Sequence, residues 1–203
     1  MNLKPLNDVI IITRDASENT TKSGLIIPHI AQQKALRSKV VNAGPGRYTD
    51  NNVFVPTCVK DGDYIIVGRE ANEKLVIKED NQDYVFIREK DILCIVQQIN
   101  DSVRLNPVSN LVMLRRLNPD SISKGGIIIP ENARPKSIEA EVVAVGPGRV
   151  YDNGVLIEPT VKVGDIAILS KWAAGDLVID NIEYTFIRET EIMAVYESQV
   201  QRS

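Results

Sequence analysis

An all-β chain, folded as two tandem small β-barrels, is what the sequence predicts. Three observations carry the prediction. The chain of 203 residues repeats itself at a spacing close to half its length. Its apolar residues fall in short β-branched runs punctuated by Gly, Asp and Asn. Helical periodicity is scarce: the best stretch, Ile30-Ala31-Gln32-Gln33-Lys34-Ala35-Leu36, is short and has no cap.

The repeat comes first, because it sets the domain count. Gly24 and Gly126 are 102 residues apart (126 − 24). Ala43-Gly44-Pro45-Gly46-Arg47 returns as Val145-Gly146-Pro147-Gly148-Arg149 at the same offset. So does Lys60-Asp61-Gly62-Asp63, as Lys162-Val163-Gly164-Asp165. Tyr84 to Ile92 returns as Tyr184 to Ile192, now 100 apart (184 − 84). Matches in one order with so little drift mark a duplication of a small domain, too long a period for a solenoid unit. The boundaries expected are a first domain at 1–97, a linker at 98–103 and a second domain at 104–203. The joint, Gln97 to Arg104, is short and polar.

Within each half the strands read in order. Val9 to Ile12 and Leu111 to Leu114 are apolar runs between polar residues. Tyr64 to Val67 and Ile166 to Leu169 follow Gly-Asp turns, and Leu75 to Ile77 and Leu177 to Ile179 come next. Tyr84 to Ile87 with Ile92 to Val96, and Tyr184 to Ile187 with Ile192 to Tyr196, close the halves. Alternation in Tyr84-Val85-Phe86-Ile87 is imperfect, which predicts a strand covered on both faces. Asp152-Asn153-Gly154, between Val150-Tyr151 and Val155-Leu156-Ile157, predicts a hairpin with a type I′ turn. The first half has Thr49-Asp50-Asn51-Asn52 there, where asparagine enters the left-handed region at some cost.

Composition narrows the function classes. A 43% hydrophobic, 25% charged chain is globular, not disordered. Lys and Arg number 24 and Asp and Glu 27, so the net charge of −3 leaves no footprint for nucleic acid or an anionic membrane. No apolar run approaches the roughly 20 residues of a membrane span. The N-terminus lacks the apolar core of a signal peptide and the Arg/Ser bias of a transit peptide. Cys58 and Cys94 have no ligand spacing and read as thiols in a reducing compartment. His29 is the only histidine and reads as a loop residue. A triad or zinc site is therefore not expected, so catalytic residues, metal and cofactors are all read as none. Gly-Pro-Gly-Arg lacks the Lys-Ser/Thr and helix of a P-loop and reads as a turn. Arg88-Glu89 and Arg188-Glu189 read as structural charge pairs, and Trp172 as a packing residue.

One motif is unexplained by folding alone. Leu25-Ile26-Ile27 and Ile127-Ile128-Ile129 each sit between glycine and proline, flanked by Gly24 and Pro28 in one copy and by Gly125, Gly126 and Pro130 in the other. Polar residues surround both. From the residues alone two readings stand: a short buried strand, or an exposed hydrophobic hook on a loose loop. A loop rich in Ser, Thr, Lys and Gly cannot bury enough to order itself. Three aliphatics on it can still dock elsewhere, at roughly 1.5–3 kcal/mol per buried side chain before ordering costs.

In order, the halves have an Asn/Lys-Pro-Leu-type start (Lys4-Pro5-Leu6 and Asn106-Pro107-Val108), a Lys-x-Gly-triplet loop, Gly-Pro-Gly-Arg with a hairpin, a Lys-x-Gly-Asp turn and a closing Glu-x-Asp/Glu-Ile strand. This order resembles chaperonin-10 co-chaperonins, the GroES type, in duplicate and over essentially the whole chain. The second half matches more closely; the first departs at Ser23, at Asp61 and in its missing Asn-Gly turn. The resemblance implies GroES-like barrels, each with a mobile loop and a roof hairpin, assembled in a dome-shaped ring. That ring caps an ATP-bound GroEL-type chaperonin and assists folding while hydrolysing nothing itself. It implies Leu25, Ile26, Ile27, Ile127, Ile128 and Ile129 as chaperonin contacts. Gly24, Pro28, Gly125, Gly126 and Pro130 become loop flanks, and Gly46, Arg47, Gly148, Arg149, Asn153 and Gly154 the roof hairpins. The partners expected are a large chaperonin and further copies in a homo-oligomeric ring, with single-domain co-chaperonins as co-assembly candidates, and no nucleic acid or membrane. The compartment expected is cytoplasmic, with plastid stroma as alternative if a transit peptide has been removed, or host cytoplasm for a viral source. The rival non-catalytic reading is a ring-forming scaffold of the same fold that has abandoned the chaperonin. An alcohol-dehydrogenase-like enzyme shares the fold but requires a Rossmann domain and metal ligands.

Overall fold

A computed structural model describes residues 3–14, 36–68, 75–79, 82–99, 102–117, 137–170, 173, 175–179 and 182–196. The first half holds β1 (Val9–Arg14), β2 (Leu36–Ala43), β3 (Gly46–Tyr48), β4 (Phe54–Pro56), β5 (Tyr64–Val67), β6 (Val76–Glu79), β7 (Gln82–Arg88) and β8 (Ile92–Ile99). The second repeats the series as β10 (Leu111–Arg116), β11 (Glu139–Val145), β12 (Arg149–Val150), β13 (Leu156–Ile157), β14 (Ile166–Leu169), β15 (Asp176–Ile179), β16 (Ile182–Arg188) and β17 (Ile192–Tyr196). Between them lies β9 (Ser102–Pro107). The strand orders are β6-β7-β1-β2-β5-β8-β9 and β15-β16-β10-β11-β14-β17, antiparallel throughout.

The all-β expectation holds in both halves. Of the strands, β2, β9 and β11 have no counterpart among the runs read from sequence, and β9 begins inside the expected linker at 98–103. Polar residues disguise β2: Ser38 sits fully buried between exposed Arg37 and Lys39. The proposed helix start at Ile30 falls outside the described residues, and Leu36 at its end begins β2.

Each sheet wraps one face around an aliphatic core. Ile10, Ile12, Val40, Val59, Ile65, Val67, Val85, Ile87 and Ile92 fill the first, and Val112, Leu114, Ala140, Val142, Val161, Ala167, Leu169 and Ile187 the second. The Lys-x-Gly-Asp motif proves to be a side-chain-closed turn. Asp63 Oδ2 accepts the Lys60 N–H at 2.7 Å, and Asp165 Oδ2 the Lys162 N–H at 2.8 Å. Gly62 and Gly164 adopt φ of 91° and 93° there, a region that favours glycine. Asp61, the odd residue of the first copy, accepts the Ala43 N–H at 2.7 Å.

The charge pairs are wired differently from the sequence reading. Arg88 does not pair with its neighbour Glu89; it reaches Asp8, on the other side of the β1–β7 ladder, at 2.5 Å. Glu89 and Glu189 instead accept backbone N–H groups, from Cys58 at 2.7 Å and from Thr160 at 2.5 Å. Sequence adjacency misled here because the strand ends at the arginine, and the glutamate next to it opens a 3-10 turn that aims it elsewhere.

The two halves share a seam. β8 and β9 pair from Cys94↔Pro107 to Ile99↔Ser102, so residues 98, 99, 102 and 103 lie in a hairpin. Behind it, Ile66, Cys94 and Val96 of the first half bury against Met113, Leu177, Ile179 and Phe186 of the second. This explains the imperfect alternation of the last long strands. Inward residues of β16 face their own core, while outward Phe186 faces the other half. Val108, just past β9, is 5% exposed and inserts into the core of the first half. Its repeat equivalent, Leu6 (108 − 102), is 67% exposed. Burial pushes the Cys94 thiol up to about 12, so it is protonated and unreactive near neutral pH.

Val108→Asp places a charge in an aliphatic core and is expected to destabilise the first half by about 3 kcal/mol or more. Leu6→Asp, at the equivalent position, is expected to change the stability of the dilute chain little. Urea unfolding checks both, and faster alkylation of Cys94 at pH 8 in the Val108 variant checks that the seam has opened.

Candidate functional site

Both hydrophobic triplets, Leu25-Ile26-Ile27 and Ile127-Ile128-Ile129, lie outside the described residues, as do Gly24, Pro28, Gly125, Gly126 and Pro130. His29 and Trp172 do too. The places where their segments leave the fold are described. β1 pairs with β2 as far as Arg14↔Ser38, and β10 with β11 as far as Arg116↔Ala140. Each triplet is thus carried on the connection of the same hairpin in its half. A connection this long between paired strands is either functional or unneeded by the fold.

The root of the second connection is tied by one side chain. Arg116 is only 11% exposed. Its Nη1 donates to the Ser137 carbonyl at 2.6 Å and its Nη2 to the Ala173 carbonyl at 3.0 Å. Nε faces Asp176 Oδ1 at 3.5 Å, and the same oxygen accepts the Thr185 hydroxyl at 2.5 Å. Ser137 Oγ accepts the Glu139 N–H at 3.1 Å, and the Leu117 N–H donates to the Glu139 carbonyl at 2.9 Å. Arginine suits the place because its fork satisfies several fixed acceptors at once. Nothing in the sequence singled out Arg116; its three partners, Ser137, Ala173 and Asp176, lie far from it in the chain.

The hairpins that follow Gly-Pro-Gly-Arg are β3–β4 and β12–β13. Gly46 and Gly148 begin them with φ of 134° and 110°. A Cβ there would meet Val55 O at 2.2 Å or Ile157 O at 2.3 Å, so the partner strand itself demands glycine. Arg47 pairs opposite Val55, and Arg149 lies over the Tyr151 ring at 5.5 Å. The turn expected at Asn153-Gly154 forms, but not as type I′. Among the described residues Asn153 has no positive φ; Gly154 alone does, at 81°. The Gly154 N–H closes on Tyr151 O at 2.9 Å and the Tyr151 N–H on Val155 O at 3.0 Å. This is a three-residue connection with one left-handed position. Asn52, at φ 60°, holds that position in the first half with the matching bonds from Asn52 N–H to Thr49 O and from Thr49 N–H to Val53 O.

Tyr48, Phe54, Tyr151 and Ile157 are all exposed on these hairpins, Tyr48 against Phe54 at 5.2 Å between ring centres. The two tips also touch each other. Thr49 Oγ1 donates to the Asp152 carbonyl at 2.9 Å, and the Val53 side chain packs so close that a Cβ on Gly154 would stand 3.0 Å from it.

A third feature is an apolar face at each end of the chain. Among the described residues β17 is the last strand of its sheet, with no partner equivalent to β9. Met193 and Tyr196 are 71% and 56% exposed, whereas their repeat equivalents are covered at the seam: Leu93 (193 − 100) packs against its cluster and Val96 (196 − 100) is part of it. Tyr196 donates to Glu139 at 2.9 Å. At the other end Leu6 and Ile77 are exposed, whereas their equivalents Val108 and Leu177 are buried. Leu3 is held by Asn42, whose Nδ2 donates to its carbonyl at 3.0 Å. Among the described residues no cluster of His, Cys, Asp and Glu could hold a metal ion.

With this geometry in place, the comparisons with known proteins read as follows. A family model described as "Chaperonin 10 Kd subunit" matches residues 2–96 and again 104–196. "Co-chaperonin GroES 1" of Mesorhizobium japonicum is 40% identical over 99 residues, 49% of this chain and 95% of that protein. "Co-chaperonin GroES" of Clostridium kluyveri is 40% identical over 95 residues, 47% of this chain and all of that protein. "20 kDa chaperonin, chloroplastic" of Spinacia oleracea is 27% identical over 195 residues, 96% of this chain and 75% of its own length.

Gly148→Ala is expected to destabilise the second half by about 1–3 kcal/mol, through strain at its φ and a clash with the Ile157 carbonyl. Asn52→Gly relieves the left-handed cost and is expected to stabilise the first half by up to about 1 kcal/mol. Chemical denaturation of the two variants measures both signs.

Proposed function

The chain belongs to the chaperonin 10 family, and from that premise we propose how its two copies of the domain divide the work. It is a co-chaperonin that assists chaperonin-mediated protein folding, and it is not an enzyme. Its partner is a GroEL-type chaperonin, as its co-chaperonin relatives imply. The domains are 1–97 and 104–203, joined through the turn between β8 and β9.

Leu25, Ile26, Ile27, Ile127, Ile128 and Ile129 are the side chains that grip the chaperonin, between the flanking Gly24, Pro28, Gly125, Gly126 and Pro130. The observation that carries this is the position of the triplets: twice, in register, on the connection of the same hairpin, in a chain of this family. One such segment binds weakly, because ordering it on binding costs entropy. Several on one assembly bind through effective concentration, so the lid holds while all are engaged and leaves when the chaperonin moves. The exposed rings and aliphatics of the two hairpins, from Gly46-Arg47 and from Gly148-Arg149 with Asn153-Gly154, form the roof over the enclosed client.

Assembly into a ring follows from the unequal ends. The seam supplies the pattern: the edge of β8 is paired by β9 and its core is closed by Val108. The edge of β17 awaits the same from residues 3–6 of a second copy, which places Pro5 opposite Ala194 and Leu3 opposite Tyr196. Head-to-tail contact of this kind closes when the rotation allows. Whole chains contribute domains in even number; a sevenfold partner is met by one idle domain or by a single-domain co-chaperonin. Cytoplasm and plastid stroma both suit such a chain; the Spinacia oleracea relative is chloroplastic by its description.

A bacterial-type chaperonin should capture the protein in the presence of ATP, and Ile26→Asp and Ile128→Asp should each weaken capture without lowering the melting temperature. Loss of several kcal/mol of stability would show the triplets to be core strands, and no capture with or without ATP would leave the scaffold reading. Native mass spectrometry should find assembled chains, and Leu6→Asp should reduce them to monomers; a wild-type chain that stays monomeric even with chaperonin sinks the lid.

A further inference from the structure

The two hook segments are rooted differently, and the difference is visible in chemistry. At the second root one guanidinium holds both ends of the 118–136 connection: Arg116 is the last residue of β10, and it bonds the Ser137 carbonyl just before β11 at 2.6 Å. Through the Ala173 carbonyl at 3.0 Å it ties both ends to the segment before β15. Asp176, 12% exposed, balances the charge and is itself fixed by the Thr185 hydroxyl. A cation so withdrawn from water persists only where charge and hydrogen bonds are both met.

The first root cannot build this arrangement. The residue matching Arg116 is Arg14, since both end the first strand at a 102 offset (116 − 14). The residue matching Asp176 is Val76 (176 − 100), since Val76 pairs with Val85 as Asp176 pairs with Thr185, and it carries no charge. Thr185 is matched by Val85 (185 − 100), a fully buried core residue with no hydroxyl. At these matching positions neither the carboxylate nor its hydroxyl partner exists.

We propose that the Arg116–Asp176 pair is a positioning device that makes the second hook the stronger of the two. This rests on the reading that the hooks grip the chaperonin. Fixing the spacing and direction of both ends removes part of the freedom that the segment otherwise loses on binding. The first hook, without the clamp, loses all of it at the moment of capture. Arg116 and Asp176 act through the segment they root, as positioning residues.

The test is a binding cycle with the full chain and a bacterial-type chaperonin in ATP. Ile128→Asp should weaken binding several-fold more than Ile26→Asp. Arg116→Met should weaken binding about fivefold in the wild type and in the Ile26→Asp chain, and add almost nothing to Ile128→Asp. Arg116→Lys, which cannot fork to several acceptors, should recover only part of the loss. If Arg116→Met fails to fold, judged by its circular dichroism, Thr185→Val serves instead, because it copies the first half at nearly constant volume. A merely structural role would lower the melting temperature while leaving the two hook variants equally affected. Equal losses from both hooks, or a clamp effect that adds to both alike, overturns the proposal. If neither hook variant changes capture, the hook reading itself is wrong and the clamp inference falls with it.

Discussion

An antiparallel strand at the edge of a sheet carries a row of unpaired backbone groups, and something must cover or pair them. The architecture of this chain depends on how that constraint, among the described residues, is met once and left open once. At β8 the edge is closed by β9, a strand belonging by repeat to the other half. With the ladder come Val108 in the first core and the buried seam of Ile66, Cys94, Val96, Met113 and Phe186. At β17, among the described residues, the same edge has no strand beside it. One contact is thus filled between the two halves, and its counterpart on the second half stands unfilled among the described residues. The halves are joined through a ladder that pairs as far as Ile99↔Ser102.

Duplication has not kept the halves identical. Asn52 stands where Gly154 does, Asp61 where Val163 does, and Ser38 where Ala140 does. Each difference has a local account. Asparagine tolerates the left-handed turn; Asp61 bonds Ala43; Ser38 leaves a buried hydroxyl with no partner. That orphan costs stability that an alanine would not. The buried Arg116 network runs the other way, adding to the second half a device that the first lacks. A co-chaperonin of two unequal domains can thus present hooks of unequal strength on one lid.

Much of the site was legible because it is written in local chemistry. The Lys-x-Gly-Asp turns, the glycines at 46 and 148, and the triplets on their long connections depend on residues a few positions apart. The turn at Asn153-Gly154 was legible as a hairpin but not as a type: the dipeptide fits two connections, and the length of the neighbouring strands chose the three-residue one. Arg88 was read as the partner of Glu89 because they are adjacent, yet the strand ends between them, sending one to Asp8 and the other to Cys58. Arg116 was invisible, since its partners Ser137, Ala173 and Asp176 lie 21 to 60 residues away.

The sequence by itself determined the duplication, the β class, the turn chemistry and the place of the two hydrophobic triplets in the order of elements. Those follow from periodicity and from residues whose preferences act over a turn. Only the tertiary structure decided which copy of each outward-facing apolar residue is buried. Cys94 and Ala194, or Val108 and Leu6, occupy matching places in the repeat, and nothing in either half says which will be covered. A period of two reveals that a strand has two faces. What lies against the outer face depends on a surface far away in sequence, and among the described residues that surface is present for the first domain and absent for the second.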